Sequence, residues 1–153
     1  MARDSVSAMI GSSPGCAADN LHPEELAKFK LSSNQAETVM REVLAPKLKG
    51  FEVIALSGQP LQQGVSISYQ FRCKNSTSEV LLPIVIVETP NGPKTFLSQI
   101  AMGCLRTIEA QGIAKKDERW RRDWNELTTQ LSKSGLTGYY DLSTGRVFDW
   151  PQM

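Results

Sequence analysis

The chain has 153 residues, of which 41% are hydrophobic and 22% are charged, and this length suits one domain with a sizeable core. Because 17 Lys and Arg residues oppose 16 Asp and Glu residues, the net charge of +1 creates no overall field that attracts nucleic acid or an anionic membrane. No stretch approaches the roughly 20 consecutive apolar residues of a membrane-spanning helix, so we expect a soluble protein.

The N-terminal residues and the cysteines indicate the setting of this domain. Residues 1–21 are rich in Ser, Ala and Gly and show no periodicity, so we predict a flexible tail before a single domain over 22–153. The tail lacks the basic and apolar regions of a signal peptide. The three cysteines, Cys16, Cys73 and Cys104, have unrelated spacings, which favours free thiols and a reducing, cytoplasmic location.

Two helices are predicted at the start of the domain. Pro23 and the two acidic residues after it suit the first turn of a short helix that ends near Phe29. Ser32 and Gln35 have the spacing of a capping box, which predicts the start of a longer helix. Its apolar stripe is Ala36, Val39, Met40, Val43 and Leu44. Pro46 is expected to end or kink this helix at the end of the stripe.

Residues 51–88 carry the clearest pattern in the chain and predict three consecutive antiparallel strands joined by short polar turns. In the middle segment, apolar and polar residues alternate strictly, which predicts one apolar face and one polar, solvent-exposed face. The apolar positions of this segment are Val65, Ile67, Tyr69, Phe71 and Cys73. The third segment, 80–87, is apolar at every position but Pro83, so we expect both of its faces to be covered.

Two more helices are predicted after the turn-rich sequence 89–93. For the first, over 95–111, Thr95 is positioned to cap the start and Gly112 to stop the end. Its apolar face is Leu97, Ile100, Ala101, Cys104, Leu105 and Ile108. The second, over 115–131, is highly charged and has an apolar stripe that we expect to pack on the sheet. This stripe is Trp120, Trp124, Leu127 and Leu131.

The last segment, 136–150, predicts a β-hairpin with aromatic-rich strands on either side of Leu142-Ser143-Thr144-Gly145. Its residues Tyr139, Tyr140 and Trp150 resemble the second half of a WW domain, which implies a groove for proline-rich ligands. The alternative is an ordinary hairpin with cross-strand aromatic pairs. Because an isolated hairpin is marginal in water, we expect it to join the larger sheet.

These elements together predict an α+β fold in the order α-βββ-α-α-ββ. Its antiparallel sheet combines the three-stranded meander with the C-terminal hairpin, and the helices pack mainly on one face. This element order resembles that of small secretion chaperones, which implies binding of protein partners.

Candidate catalytic and metal-binding residues are few. His22 is the only histidine, so any catalytic triad, Cys–His pair or multi-histidine metal site must use it. The remaining acid–base candidates are carboxylates near predicted strand ends, namely Glu52, Glu79, Glu88, Asp141 and Asp149. With neither a Walker A motif nor a glycine-rich phosphate loop, we predict no catalytic residue, cofactor or metal site, and an enzyme is the less favoured interpretation.

The predicted apolar faces exceed what one small sheet can cover, which indicates a surface shared with another protein or with a second copy in a homodimer. We therefore predict a non-catalytic protein-binding or chaperone-like module. The predicted interaction surface consists of Trp120, Trp124, Tyr139, Tyr140, Phe148 and Trp150.

Two alternative functions stay open at this point. One is a small-molecule binder or enzyme with a pocket between the sheet and the helix 95–111. The other is nucleic-acid binding through the basic, Trp-containing helix 115–131. Residues 115–126 hold five basic and four acidic side chains, and Glu118 and Arg122 have the spacing of an ion pair. A solvated helix face is therefore the simpler interpretation of this helix.

Overall fold

The structure is a computed structural model that describes residues 20–48, 52–60, 66–74 and 79–153. Most of the predicted tail lies outside these ranges. For the first three strands the structure describes the backbone, together with the side chains of Val87 and Thr89. Leu21, the last residue assigned to the tail, is buried and forms a parallel bridge with Thr95.

Helices and antiparallel strands are segregated along the chain, so the fold belongs to the α+β class, as predicted. The helices are α1 (Pro23–Lys28), α2 (Ser33–Thr38), a π-helical segment (Val39–Leu44), α3 (Ala45–Leu48), α4 (Leu97–Ala114) and α5 (Trp120–Lys133). The strands are β1 (Glu52–Pro60), β2 (Ser66–Lys74), β3 (Glu79–Thr89), β4 (Gly92–Lys94), β5 (Gly138–Tyr140) and β6 (Val147–Asp149).

The strands form two separate antiparallel sheets. β1, β2, β3 and β4 pair in that order, and the register between β2 and β3 places Tyr69 opposite Ile84. In the described part of the chain, β5 and β6 pair only with each other, so the prediction that the hairpin joins the larger sheet is wrong. The hairpin instead attaches to α4, where the Ser98 hydroxyl accepts a hydrogen bond from the Tyr140 amide at 2.9 Å.

The helix after α1 begins as predicted, with a capping box between Ser32 and Gln35. Its whole predicted apolar stripe is buried. The helix does not end there, however, because it continues through the π-helical segment into α3. Pro46 has no amide, and in a regular helix its ring collides with a carbonyl one turn earlier. The wider π turn, in which Ala45 donates to the Met40 carbonyl, relieves this conflict and lets the helix continue.

α4 differs from the prediction at both ends. Its N-cap is Phe96 rather than Thr95, and the Phe96 side chain cannot accept hydrogen bonds from the first amides of the helix. At the other end, the helix continues past Gly112, which lies against Trp120 at the start of α5. A Cβ atom at position 112 would lie 2.2 Å from the Cβ of Trp120. Gly112 therefore permits close packing of two helices and does not terminate one.

The core lies between the π-helical segment, α4, α5 and the hairpin. Its largest fully buried side chains are Trp124, Met40, Leu44, Leu97, Leu105, Leu127, Leu131 and Leu136. Cys104 of α4 is a free thiol in this core, and burial raises its pKa to about 12. At neutral pH the Cys104 thiol is therefore uncharged and packs as a small apolar side chain.

Substitution of Gly112 with alanine tests the contact between α4 and α5. In an open helix this change stabilises by about 1 kcal/mol, because alanine has the higher helix propensity. Here we expect the free energy of unfolding to fall by about 1–3 kcal/mol, because the new methyl group overlaps Trp120. Urea unfolding followed by tryptophan fluorescence measures the change.

The matched control for this prediction is Ala110→Gly, at an exposed position of the same helix. It should lower the free energy of unfolding by about 1 kcal/mol through helix propensity alone. The original protein should be more stable than Ala110→Gly. If Gly112→Ala were likewise more stable than the original protein, close packing at position 112 would be refuted.

Candidate functional site

The structure divides the predicted interaction surface between the core and the protein surface. Trp124, Tyr140 and Trp150 are buried, Trp120 and Tyr139 are half-buried, and Phe148 is 42% exposed. The aromatic residues form two groups, because Trp120 and Trp124 meet edge-on within α5 whereas the others lie on the hairpin. A buried ring contacts a partner only if the core opens, so Phe148 is the most accessible member of this set.

Contacts within the hairpin hold the Phe148 ring in place. Its ring stacks on Tyr139 of the neighbouring strand, with the ring centroids 5.5 Å apart, and Tyr139 in turn contacts Trp150 at 6.3 Å. In the turn, the Asp141 carboxylate accepts hydrogen bonds from the Ser143 and Thr144 hydroxyls at 2.9 and 2.8 Å. These bonds hold the pKa of Asp141 below its usual value. The turn and the cross-strand stack therefore fix the position of the exposed ring.

The outer edge of β6 carries backbone groups that do not point at β5. The Asp141 amide donates to the Arg146 carbonyl at 2.8 Å, which identifies this pair as a hydrogen-bonded one. Because hydrogen-bonded and non-bonded pairs alternate along an antiparallel ladder, the backbone of Phe148 faces β5, and that of Val147 and Asp149 faces away from it. Among the described strands, none pairs with this outer side. β6 thus presents two outward residues with their amides and carbonyls.

A buried carboxyl group lies beneath the hairpin. Glu25 of α1 is 0% exposed, and its Oε1 accepts a hydrogen bond from the Leu97 amide at 2.6 Å. Its Oε2 accepts bonds from the Ser98 amide at 3.1 Å and the Ser98 hydroxyl at 2.5 Å. These amides belong to the first turn of α4, so Glu25 caps the helix in place of Phe96. Burial raises the pKa of Glu25 to about 7, although the hydrogen bonds from Ser98 and Leu97 act to lower it.

Three aromatic rings stack on one another near the start of α4. The rings of His22 and Phe96 are 5.0 Å apart, and those of Phe96 and Tyr140 are 5.6 Å apart. Burial, followed by the charges of Glu24 and Glu25, raises the pKa of the Tyr140 hydroxyl. His22 also accepts a hydrogen bond at Nδ1 from the Glu24 amide at 3.2 Å, so the only histidine serves as the N-cap of α1.

The contact between Ser98 and Glu25 has the atoms of a nucleophile and its general base. Both residues are 0% exposed, and the carboxylate already accepts three hydrogen bonds from the start of α4. Because a substrate cannot reach a fully buried hydroxyl, the pair acts as an internal helix cap that joins α1, α4 and β5.

Three arginines around the start of α5 are engaged in local ion pairs. Arg119 pairs with Asp117, Arg121 with Glu118, and Arg122 with Glu126. The predicted pair between Glu118 and Arg122 is wrong, because α5 begins at Trp120 and the helical spacing does not extend back to Glu118. Arg121 also lies over the ring of Trp120 at 5.4 Å. This arrangement is typical of a solvated helix surface with balanced charge.

The C-terminal residues contact α5 mainly through their backbone. Trp124 Nε1 donates to the Pro151 carbonyl at 2.7 Å. The side chain of Asn125 donates to the Met153 carbonyl at 2.9 Å and accepts from the Met153 amide at 3.0 Å. Beside this contact, an open depression on α5 is lined by Arg122, Asn125, Glu126, Thr129 and Gln130. These contacts fix the C-terminal segment on α5 without using its side chains as the main anchors.

A small cavity of about 150 Å³ lies where the end of α4 meets the start of α5. It is lined by Ile108, Gln111, Gly112, Lys115, Asp117, Trp120 and Asp123. The Asp117 carboxylate in this cavity is occupied by Arg119, which lowers its pKa to about 2. The cavity is too small for a drug-sized ligand, which needs several hundred Å³, roughly 300 or more.

Several candidate sites from the sequence involve residues that the structure does not describe. The pocket predicted between the sheet and the helix 95–111 would be lined by strand side chains outside the described residues, so it stays a prediction. The side chains of Glu52, Glu79 and Glu88 lie outside them as well. Asp141 is used in the hairpin turn, and Asp149 is exposed on β6.

Two further findings apply to the described part of the chain only. Within it, no three His, Cys, Asp or Glu side chains are placed to share a metal ion. None of its helices is both long enough and apolar enough to cross a membrane. Comparisons of the whole chain with protein-family models, with curated proteins and with solved structures found no match.

Glu25, Ser98 and Asn125 are the residues of this region that sequence reasoning missed. Glu25 was assigned only as an acidic residue in the first turn of α1. The sequence gives no signal for this cap, because Thr95 is itself a suitable cap residue by type and the helix start therefore does not show the need for an acceptor from elsewhere.

Proposed function

We propose that this protein is a non-catalytic protein-binding module that pairs an extended segment of another protein with the outer edge of β6. The observation that carries this proposal is the exposed strand Val147–Asp149, in which Val147 is 37% and Phe148 is 42% exposed. An added strand obtains affinity from main-chain hydrogen bonds and specificity from contacts at alternate side chains.

The chemistry of the edge defines the partner. The outward amides and carbonyls of Val147 and Asp149 offer a second strand two donors and two acceptors at alternate positions. Phe148 provides an apolar contact between them. Arg146, just before the strand, and Asp149, its last residue, carry opposite charges. A matching segment is extended, carries a large apolar residue opposite Phe148, and lacks proline at the positions that must donate.

The rest of the fold has a supporting role in this proposal. The predicted three-stranded meander and the helices on one of its faces form the scaffold, and the hairpin is attached to it through α4. Engagement of the edge by a second copy of the chain would give the predicted homodimer through the same backbone groups.

The experiment selects peptides from a displayed random library on the full chain and then measures amide exchange of the complex. We expect selected peptides to protect the Val147 and Asp149 amides, which face outward. Val147→Pro removes one outward donor, so we expect it to weaken binding about tenfold, the equivalent of about 1.4 kcal/mol. Phe148→Ser should weaken binding by a similar factor, because it removes the exposed ring.

The matched control is Val147→Thr, which keeps the backbone amide and the branched shape and should bind within about twofold of the original. Circular dichroism and the protection of the Phe148 amide, which faces β5, show that each variant keeps the hairpin. Selected peptides that bind the Val147→Pro protein with unchanged affinity would refute pairing with β6.

A further inference from the structure

We propose that the surface of α5 around Asn125 is a binding site for an extended segment of another protein, and that residues 151–153 of this chain occupy the site as an internal competitor. The α5 site consists of the side chains of Trp124, Asn125 and Thr128 together with the open depression beside them. It is separate from the edge of β6, which lies on the hairpin.

Asn125 contacts one residue of the bound segment through both backbone groups of that residue. Its Nδ2 donates to the Met153 carbonyl at 2.9 Å, and its Oδ1 accepts from the Met153 amide at 3.0 Å. A side-chain amide that binds the N–H and C=O of one residue reproduces the two bonds that a neighbouring strand makes with it in an antiparallel sheet. This contact therefore recognises extended backbone and does not depend on the side chain that the backbone carries.

Trp124 adds a requirement for a peptide carbonyl. Its side chain is 0% exposed, and its Nε1 donates to the Pro151 carbonyl at 2.7 Å. Because a buried donor that loses its acceptor is costly, the Trp124 indole favours an occupied site over an empty one. A segment from a partner that places a carbonyl at this point satisfies the indole as well as Pro151 does.

The release of residues 151–153 does not require the hairpin to open. All three residues are exposed, whereas Trp150 before them is 5% exposed and donates from Nε1 to the Leu136 carbonyl at 2.9 Å. The buried anchor of the chain therefore ends at Trp150. Hydrogen bonds of an exposed segment exchange with water at a small net cost, so residues 151–153 belong to the parts of the structure that open most easily.

The contacts define the chemistry of the partner segment. Its first position supplies only a carbonyl, so proline is tolerated there as it is at Pro151. Its second position suits a donor such as Gln152, whose side chain lies 3.4 Å from the Thr128 hydroxyl. Its third position needs a backbone N–H for Asn125, which excludes proline. A longer segment also reaches the depression, whose lining is polar: Arg122, Glu126, Thr129 and Gln130.

Residues 151–153 lower the apparent affinity for such a partner. A segment that is joined to its site by a short connection competes at an effective concentration on the order of millimolar. A free peptide binds only the fraction of molecules in which this segment has left the site. A change that weakens the internal segment and leaves α5 intact should therefore strengthen binding of the free peptide.

The test titrates the full chain with the peptide Ala-Pro-Gln-Met, acetylated and amidated at its ends, and follows the NMR signal of the Asn125 side-chain amide. Met153→Pro removes the backbone donor to Asn125 Oδ1 and leaves every residue of α5 unchanged. We expect the peptide to bind Met153→Pro about tenfold more tightly than it binds the original protein, because the competitor is weakened.

Three controls identify the site. Met153→Ala keeps the backbone donor and should bind the peptide within about twofold of the original protein. Adding Asn125→Ala to Met153→Pro should weaken peptide binding about tenfold, because both bonds to the third position are lost. The peptide Ala-Pro-Gln-Pro lacks the third N–H and should bind Met153→Pro about tenfold more weakly than the first peptide.

Three outcomes overturn the proposal. The first is equal affinity of the peptide for Met153→Pro and the original protein, or no change of the Asn125 signal of Met153→Pro at about 10 mM peptide. The second is binding that Asn125→Ala leaves unchanged and Val147→Pro weakens, which would place the peptide at β6. The third is an Asn125 signal that depends on protein concentration without peptide, which would mean that a second copy supplies the bound segment.

Discussion

Replacement of Trp124 by alanine is expected to lower the free energy of unfolding by about 3–5 kcal/mol, which is a large part of the stability of a single domain. The indole is 0% exposed in the core between α4 and α5, and its loss leaves a cavity there. The substitution also removes the hydrogen bond from Trp124 Nε1 to the Pro151 carbonyl. The shift of the urea unfolding midpoint measures the loss.

Two comparisons make this prediction specific. Trp124→Phe keeps much of the ring volume but loses the hydrogen bond, so it should cost clearly less than alanine. Trp120→Ala, at a half-buried position on the same helix, should also cost less than Trp124→Ala. Equal losses at Trp120 and Trp124 would contradict the placement of Trp124 at the centre of the core.

Replacement of Glu25 by alanine is the second change with a large expected effect, a loss of about 3 kcal/mol or more at about pH 6. The Leu97 and Ser98 amides and the Ser98 hydroxyl lose their acceptor, and each buried donor without a partner costs about 1–3 kcal/mol. Thermal and urea unfolding at that pH measure the loss.

The matched variants for Glu25 separate hydrogen bonding from charge. Glu25→Gln keeps an acceptor for the helix amides and should therefore be more stable than Glu25→Ala. Glu24→Ala alters an exposed residue and should change the free energy of unfolding by less than about 0.5 kcal/mol. A Glu25→Ala protein as stable as Glu24→Ala would refute the role of Glu25 as the cap of α4.

The sequence allowed prediction of those parts of the fold that depend on neighbours in the chain. The capping box at Ser32 and Gln35, the buried stripe that follows it and the turn at Gly145 all have local signals, and the structure contains each of them. The stripe of the charged helix also gave the correct buried face, with Trp124 in the core. Periodicity and turn chemistry act over a few residues, so one sequence is enough to identify them.

The errors arose where a distant contact overrides the local signal. Thr95 is a suitable cap by residue type, but Glu25 supplies the acceptor across 72 residues. Gly112 suits a helix end, but the approach of Trp120 explains the glycine. Such contacts depend on how elements pack, which periodicity does not encode.

The candidate site was predictable only in part for the same reason. Aromatic residues of the hairpin were identified as a group, but alternation alone does not say which of them is buried. The anchor at Ser98 decides this, because it holds Tyr140 against α4 and leaves Phe148 on the outer strand.

The buried thiol of Cys104 has a consequence for experiments on this protein. Thiol reagents attack the thiolate in water, and Cys104 is 1% exposed with its pKa raised to about 12. In a variant with serine at positions 16 and 73, alkylation of Cys104 would therefore proceed only through opening of the core. The alkylation rate would then measure how often α4 separates from its neighbours, and the protein would need no added label.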